Sequence, residues 1–332
     1  MAKEKVVLDE QTRRAKSERT AKLVKIAPVA ACIILAVLYT VGALAKGYSL
    51  SVGYKNIIQN ATLVALLSTG ATFIFASGSF DLSLGSNMLV SALIGGLVGN
   101  ATGSTFLMFL TCIALAILIS VTNSVLASVF HIPVFIETIA MMSVLAALAN
   151  LIITQLGSAA TVKVSRTLIS GLNNTGFRLL CILLFEVFCC VIFYKTKIGR
   201  RQKFLGGNPV CAALSGINGS KITILSFVLA GIGIGLAAFN IIVETPTLSS
   251  SSGSSVGMNM LIALVFGGMS MSGGPGSKMY AALIGSISMA FLDSFMNLFI
   301  SGDWYLQIVK GVLFIIVVFM ISMDKRGRYL QR

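Results

Sequence analysis

Ten apolar stretches constrain the fold of this chain more than any other feature of its sequence. They cover approximately residues 26–45, 56–77, 83–99, 105–129, 132–153, 179–194, 222–243, 258–268, 279–299 and 304–323. Most have the roughly 20 residues that a helix needs to cross a hydrocarbon core about 30 Å thick. Because lipid offers no hydrogen-bond partner to a backbone amide, each span must be helical. We therefore predict an all-α fold, a polytopic membrane helical bundle of about ten transmembrane helices, with the short stretches near 83 and 258 as candidates for broken or re-entrant helices.

The composition agrees with a membrane protein and excludes other classes. Only 11% of the 332 residues are charged and 56% are hydrophobic, whereas a soluble domain has about a quarter charged residues. The net charge is +14, but the basic residues lie almost entirely between apolar stretches without an aromatic platform, so nucleic-acid binding is not expected. The six cysteines lie in or beside apolar segments and are interpreted as small apolar residues. The single histidine, His131, has no Cys, His or acidic cluster near it in the sequence, so no metal site is expected.

The first apolar stretch allows two interpretations. Residues 1–25 contain eight Lys or Arg and four acidic residues, and "ALA" at 43–45 resembles a signal-peptide cleavage site. The basic region is longer than that of a signal peptide, however, and the apolar stretch exceeds the usual range of about 7 to 15 residues. We favour an uncleaved first transmembrane helix.

The distribution of basic residues predicts the orientation of the bundle. After six spans comes loop 195–221, which contains six Lys or Arg and no acid, and after ten spans comes the basic tail "DKRGRYLQR". The outer segments also contain cations but fewer, so the positive-inside rule places both termini in the cytoplasm. The chain then divides into a cytoplasmic basic N-terminal segment 1–25, a transmembrane permease domain 26–323 that includes cytoplasmic loop 195–221, and a cytoplasmic basic tail 324–332.

Within loop 195–221, the sequence "NPVCAALSGI" predicts a short helix. Asn208 suits the N-cap, Pro209 suits the first helical position, and Gly216 suits the C-terminal cap. Because a helix of about two turns is too short to be stable alone, it needs a partner surface.

Five motifs in order resemble those of the integral membrane permeases of ribose-type sugar ABC importers. They are "GSFDLSLGS" at 78–86, "IPVFIETIAMM" from Ile132, "GRRQKFLGGNPVCAALSGIN" from Gly199, "VFGGMSMSGGPGS" from Val265 and "WYLQIVKGV" from Trp304. The chain departs from the family pattern at Ser79 and Phe80, where Gly and Ile are usual, and at Glu137, where a small apolar residue is usual. These departures leave the transport role intact and the solute open.

The resemblance implies a complex with several partners. These are a second permease copy, in a homodimer or heterodimer, a cytoplasmic ABC ATPase subunit that holds ATP and Mg²⁺, and an extracytoplasmic solute-binding protein; this chain itself would hold no cofactor. The short helix would lie in a cleft of the ATPase, with small Ala212, Ala213 and Gly216 permitting close approach. The coupling residues expected from the resemblance are Asn208, Pro209, Ala212, Ala213, Leu214, Ser215 and Gly216. The surrounding cations either contact the ATPase or serve only as topology signals.

Polar residues in or near the spans are candidates for the translocation path, namely Asn60, Asp81, Asn87, Asn123 and Asp293. The three Asn residues suit a neutral polyol, but hydrogen bonding between helices is the favoured alternative. Asp81 is interpreted either as an acid at a helix N-terminus or as a group involved in gating or ATPase contact. Glu137 and Glu186 have no partner that the sequence identifies.

Asp293 and Lys310 are candidates for an intramembrane ion pair. Each lies about six residues, or roughly 9 Å, from the outer end of its span. In the alternative, Lys310 extends outward to the interface and Asp293 lines a water-filled path.

These observations favour a permease subunit of an ABC importer in a bacterial plasma membrane. It would form half of the path for a small neutral polar solute, with a monosaccharide as the favoured cargo, by alternating access. The chain is not expected to be an enzyme. It should not hydrolyse ATP, because "GGPGSKMY" lacks the Gly before Lys and the Ser or Thr after it that a P-loop requires, and its isolated Ser residues have no base with which to form a triad. The alternative is an ion-coupled secondary transporter, which would need coupling carboxylates near the midplane. The Ser-rich stretch 245–257 is expected to be a flexible hinge or an outer rim, too polar to enter lipid.

Overall fold

The computed structural model describes residues 26–157, 161–270, 273–299, 307–312 and 315. The helices are α1 (Ile26–Ala45), α2 (Leu50–Ala76), α3 (Leu84–Thr102), α4 (Thr105–Val129), α5 (Val134–Leu156), α6 (Arg166–Ile169), α7 (Thr175–Lys195), α8 (Lys197–Gly207), α9 (Pro209–Leu214), α10 (Gly219–Glu244), α11 (Ser251–Phe266) and α12 (Tyr280–Phe299). Two short strands, β1 (Val162–Lys163) and β2 (Thr247–Leu248), pair antiparallel. A 3₁₀ turn at Gly274–Gly276 precedes α12, and residues 307–312 are helical.

Eight of the described helices are long and apolar enough to cross a membrane: α1 to α5, α7, α10 and α12. This confirms the prediction of a polytopic helical membrane bundle. The expected break near residue 83 is wrong, because α3 is a continuous 19-residue helix that extends past the apolar stretch to a left-handed cap at Gly103. The other short stretch belongs to α11, which has 16 residues. Most of the expected span 304–323 lies outside the described residues, as do segments 1–25 and 324–332.

Three helices form the centre of the bundle. In α2, α3 and α10, between 67% and 83% of the membrane-length window is buried, whereas in α1, α4 and α7 the share is 17% to 28%. The peripheral helices therefore turn most of their apolar surface outward, as lipid-facing helices do. The central helices pack through a large apolar cluster that includes Leu67, Phe73, Met88 and Phe227.

The bundle has two distinct ends. At the hairpin end, β1 pairs with β2, and the Asn100 amide bonds the backbone of Lys163 and Ser165 at 2.8 and 2.9 Å. At the opposite end, here called the coupling end, α8 contacts the loop between α2 and α3 and the turn before α12, and α9 packs against α8 and α10. The two loops that the charge pattern assigns to the outer face thus meet at the hairpin end, and loop 195–221 lies at the opposite end.

The prediction for the Ser-rich stretch is wrong in part. Its residues from Ser251 onward form the first turns of α11, where Gly253 and Gly257 pack against Gly85 of α3. A Cβ atom at Gly253 would lie 2.8 Å from the carbonyl oxygen of Gly85. Because these glycines have no side chains, α11 and α3 can cross closely. This packing stabilises the first turns of α11, whose sequence is too polar to be recognised as a membrane helix by its hydropathy.

Candidate functional site: the coupling helix, buried polar groups and an outer cavity

Helix α9 is held by hydrogen bonds at both ends. Asn208 has an extended backbone, and its Oδ1 accepts from Cys211 N at 3.0 Å, while Pro209 occupies the first helical position. At the other end Gly216 has a φ of 75°, its N–H donates to Ala213 O, and Ile217 N donates to Ala212 O, both at 3.0 Å. This pair of bonds is a Schellman motif, which needs the left-handed conformation that glycine adopts most readily. The six residues are therefore a defined helix, as the sequence predicted.

The packing of α9 corrects one expectation about its surface. Ala212 is fully buried against Leu205 and Ile222, so it supports the helix from within and cannot contact a partner. The side chains that point outward are Val210, 69% exposed, and Leu214, 84% exposed. They are four residues apart and share one helix face.

The other expected coupling residues lie on the surface of this short segment. Ala213, Ser215 and Gly216 are exposed, as are Asn208 and Pro209. The sequence reasoning did not include Val210, although an apolar pair at this spacing in a basic loop is a signal that could have identified it.

Among the loop cations, Lys203 is engaged within the chain. Its Nζ lies 4.2 Å from the ring centroid of Phe193 and 4.6 Å from that of Tyr194, and burial lowers its pKa. The Tyr194 hydroxyl accepts from Met279 N at 3.0 Å. These contacts join α7, α8 and the start of α12, whereas Arg200 and Arg201 remain exposed.

Directly before α9, three chain segments meet at a glycine junction formed by Gly78, Gly206 and Gly274. A Cβ atom at Gly206 would lie 2.7 Å from Gly274 N and 2.8 Å from Gly78 N, a separation that real side chains do not tolerate. Gly78 and Gly274 have φ values of 81° and 80°, which disfavour any other residue. The end of α8 therefore contacts both the C-terminal end of α2 and the turn that leads into α12.

Asp81 is buried beside this junction and organises the start of α3. Its Oδ1 accepts from the N–H and the hydroxyl of Ser83, both at 2.7 Å, and Asn123 Nδ2 donates to Ser83 Oγ at 2.8 Å. Ser83 is the N-cap residue, so Asp81 acts on the helix N-terminus through Ser83 and does not itself lie in the first turn. Burial raises the pKa of Asp81 to about 6, although the Ser83 hydrogen bonds act in the opposite direction.

Asn87 and Asn123 are buried between helices and do not line the cavities described below. Asn87 Nδ2 donates to Ala116 O at 3.2 Å and to Ser120 Oγ at 3.0 Å, which joins α3 to α4. These contacts favour the interpretation that both residues bind helices together. Within the bundle, Glu186 accepts from Thr69 Oγ1 at 2.7 Å, whereas Glu137 Oε2 has no hydrogen-bond partner among the described residues.

Asp293 and Lys310 lie together with Asn259. The Lys310 Nζ is 2.8 Å from Asp293 Oδ1 and donates to Asn259 Oδ1 at 3.0 Å, while Asn259 Nδ2 donates to Asp293 Oδ2 at 3.1 Å. The charged side chains are 12% and 13% exposed. Asn259, which the sequence reasoning did not single out, therefore completes a polar triad that joins α11, α12 and residues 307–312. Asn259 and Lys310 also line a cavity of about 310 Å³.

A larger cavity of about 520 Å³ lies at the hairpin end, between α1, α2, α10 and α12. Among the expected path residues, Asn60 lines it. Its lining comprises Tyr39, Tyr48, Ser49, Val52, Gly53, Asn56, Gln59, Asn60, Glu244, Ser294, Asn297 and Leu298.

Glu244, which lines the cavity, belongs to an ion pair that the sequence did not predict. Arg178 is 1% exposed and its Nη1 lies 3.4 Å from Glu244 Oε2, while Nη2 donates to Asn173 Oδ1 at 2.8 Å. Arg178 directly precedes the predicted span 179–194, but α7 begins at Thr175 and includes it. Its partner lies 66 residues further along the chain, which is why the sequence alone did not reveal the pair.

The described residues contain no group of three or more His, Cys, Asp or Glu side chains placed to hold a metal ion.

A bundle of apolar helices with a polar cavity at one end and a short exposed helix at the other defines a component of a membrane transport system. Residues 53–318 match the family described as branched-chain amino acid transport system / permease component. The chain belongs to this family, so it is a permease component, not an enzyme, and a multi-pass protein of the bacterial plasma membrane.

Its relatives include permeases of sugar transport systems. The chain is 28% identical over 273 residues to the ribose import permease protein RbsC of Escherichia coli (strain K12), covering 79% of this chain and 83% of that protein. It is 28% identical over 280 residues to the corresponding protein of Bacillus subtilis (strain 168), covering 80% and 83%. It is 26% identical over 293 residues to the L-arabinose transport system permease protein AraH of Escherichia coli (strain K12), covering 86% and 88%. No solved structure matches the chain.

Proposed function

We propose that this chain is the permease subunit of an ATP-binding-cassette importer that carries a monosaccharide. The relatives named for ribose and L-arabinose import support the choice of cargo. The observation that carries the coupling part of the proposal is α9, a structured helix that exposes Val210 and Leu214 to solvent at the end opposite the polar cavity. An exposed apolar pair on a capped helix indicates a protein contact.

The ATPase holds ATP and Mg²⁺ and binds α9 through Val210 and Leu214. Exposed apolar side chains gain most when a partner pocket removes them from water. Arg200 and Arg201, exposed on the neighbouring helix α8, provide a positive rim for this contact.

Movement of α9 is transmitted through the glycine junction. Because the backbones of α8, α2 and the turn before α12 are in direct contact there, a displacement of α9 shifts both α2 and α12. The same two helices provide Asn60 and Asn297 to the wall of the cavity at the hairpin end. Closure of the ATPase thereby changes the opposite end of the bundle, which is the requirement for alternating access. A second permease copy completes the path, and a solute-binding protein delivers the sugar at the hairpin end.

Cross-linking tests the contact with the ATPase. In a Cys211→Ser background, Ser215→Cys is expected to cross-link to the ATPase subunit in the assembled complex. A cysteine at Ser170, exposed near the hairpin end, is the matched control and is expected to give no such product. Failure of Ser215→Cys to capture the ATPase with cross-linkers of several lengths would contradict the contact.

Transport tests the function itself. Proteoliposomes that contain this chain, the ATPase and the binding protein are expected to accumulate labelled D-ribose or L-arabinose only when ATP is present. Accumulation that follows an ion gradient without the ATPase would instead support the secondary transporter.

A further inference from the structure

We propose that the cavity at the hairpin end is a binding site for a neutral, unphosphorylated monosaccharide, and that Glu244 is its main acceptor of sugar hydroxyl groups. The proposal deepens the proposed function and rests on it for the choice of ligand. It assigns to the permease a site of its own for the solute.

The size and the polarity of the cavity fit such a ligand. Its volume of about 520 Å³ lies within the range of roughly 300 to 1,000 Å³ that small-molecule sites occupy. Eight of its twelve lining residues have uncharged polar side chains, one is a carboxylate, and none is a cation. Amide groups both donate and accept hydrogen bonds, as sugar hydroxyl groups do. Asn60 and Asn297 can therefore bind a hydroxyl group that acts as a donor or as an acceptor.

The positions of Glu244 and Arg178 are electrostatically unfavourable for the helices that carry them, which indicates a functional role. Glu244 is the last residue of α10, where the negative end of the helix dipole opposes a carboxylate, and Arg178 lies in the first turns of α7, where the positive end opposes a cation. Residues that break local rules in this way are concentrated at functional sites.

The ion pair orients the carboxylate toward the cavity. Arg178 is buried and contacts Oε2, and it is not among the residues that line the cavity, whereas Glu244 is. No hydrogen bond from any described residue reaches Glu244 Oε1, which leaves this oxygen for a hydroxyl group. A hydrogen bond to a charged acceptor is stronger than one between neutral groups.

The charge of the wall also defines what the cavity excludes. A phosphorylated sugar would bring its negative charge next to Glu244 without any lining cation to bind it. Such like-charge contacts act as a filter against the wrong ligand. The site is therefore expected to distinguish D-ribose from D-ribose 5-phosphate.

The full chain in lipid nanodiscs, without ATPase or binding protein, provides the test. D-ribose and L-arabinose are titrated by saturation-transfer difference NMR, with D-ribose 5-phosphate as the charged comparison. Glu244→Gln is expected to weaken sugar binding about tenfold or more and Asn60→Ala about threefold, as the loss of a charge-assisted and a neutral hydrogen bond predict. Asn150→Ala, which removes an exposed amide of α5 outside the cavity, is expected to change binding by less than about twofold.

The outcomes separate this proposal from the proposed function. Glu244→Gln leaves Arg178 without a carboxylate partner, so the thermal unfolding of this variant is measured in parallel with binding. Asn60→Ala changes an exposed residue and serves as the second variant. The proposal is overturned if neither sugar binds the wild type, if neither variant weakens binding, or if D-ribose 5-phosphate binds as well as D-ribose. ATP-driven uptake in proteoliposomes that persists in any of these cases would leave the proposed function standing.

Discussion

The triad of Asp293, Lys310 and Asn259 allows a quantitative prediction about stability. Lys310 Nζ lies 2.8 Å from Asp293 Oδ1, and at an effective dielectric constant of about 20 the attraction between unit charges at that distance is about 6 kcal/mol. Removing both charges from water costs several kcal/mol for each ion, so the net contribution of the intact pair is small. Removing one partner leaves the other charge about seven-eighths buried, which costs about 3 to 5 kcal/mol.

A double-mutant cycle measures this difference. Asp293→Asn and Lys310→Met are each expected to lower the free energy of unfolding by about 3 kcal/mol. Their combination is expected to recover most of the loss, so the double variant should lose only about 1 kcal/mol where independent effects would give about 6, a coupling energy of about 5 kcal/mol. Unfolding is followed by circular dichroism during titration of mixed micelles with a denaturing detergent. Asn259 can keep a hydrogen bond to the Asn that replaces Asp293, so the double variant has no new unpaired group at that position.

Two results would refute the pairing argument. A double variant that is destabilised by about the sum of the two single losses would show that the charges do not interact. A Lys310→Met variant with unchanged stability, together with an Asp293→Asn variant that loses transport while remaining folded, would show instead that Lys310 reaches the interface and that Asp293 lines a water-filled path. The reciprocal exchange, Asp293→Lys with Lys310→Asp, gives an independent check, because a true pair should restore more folded protein than either single reversal.

Three further predictions concern the coupling end. Burial raises the pKa of Asp81 from 3.8 to about 6, so the folded chain keeps a proton on this carboxyl that the unfolded chain releases. The contribution of Asp81 to the free energy of unfolding should therefore fall as pH rises from about 4 to 6 and stay low above that. Asp81→Asn should remove this contribution to the pH dependence and stabilise the chain at pH 7.5 by about 1 to 3 kcal/mol in denaturant titrations. Gly206→Ala places a methyl group about 2.7 Å from Gly274 N and should abolish ATP-driven uptake while ATP hydrolysis by the reconstituted partner continues. Asn208→Ala removes the bond to Cys211 N, at a cost of about 1 kcal/mol, and should weaken ATPase binding in pull-down titrations about fivefold.

The sequence predicted helices well where apolar residues reach both helix ends. The stretches 26–45 and 105–129 coincide with α1 and α4, because their boundaries are also the boundaries of apolar character. Helix α2 begins at Leu50, six residues before the predicted start, since its first turns contain Ser51 and Lys55, which precede the apolar stretch. Hydropathy indicates which residues lie within the membrane. A helix that extends beyond the membrane continues into polar residues, so its end cannot be predicted from hydropathy.

Within the candidate site, local chemistry was predictable and tertiary orientation was not. The cap residues Asn208 and Gly216 act on backbone atoms a few positions away, so their roles can be inferred from spacing alone. Which side of a helix faces the protein depends on neighbours that are distant in sequence, so the burial of Ala212 could not be inferred. The same holds for the contact of Arg178 with Glu244.

The small cluster beneath α9 has a consequence for how such importers diversify. Leu205, Ala212 and Ile222 form an apolar group separate from the main core, so α9, the proposed contact with the ATPase, is supported by a small core of its own. A block comprising residues 205–222 carries both the contact surface and the residues that support it. Grafting that block into a related permease should transfer the specificity for the ATPase subunit. The specificity for the solute should not change, since the lining of the 520 Å³ cavity contains no residue of the block.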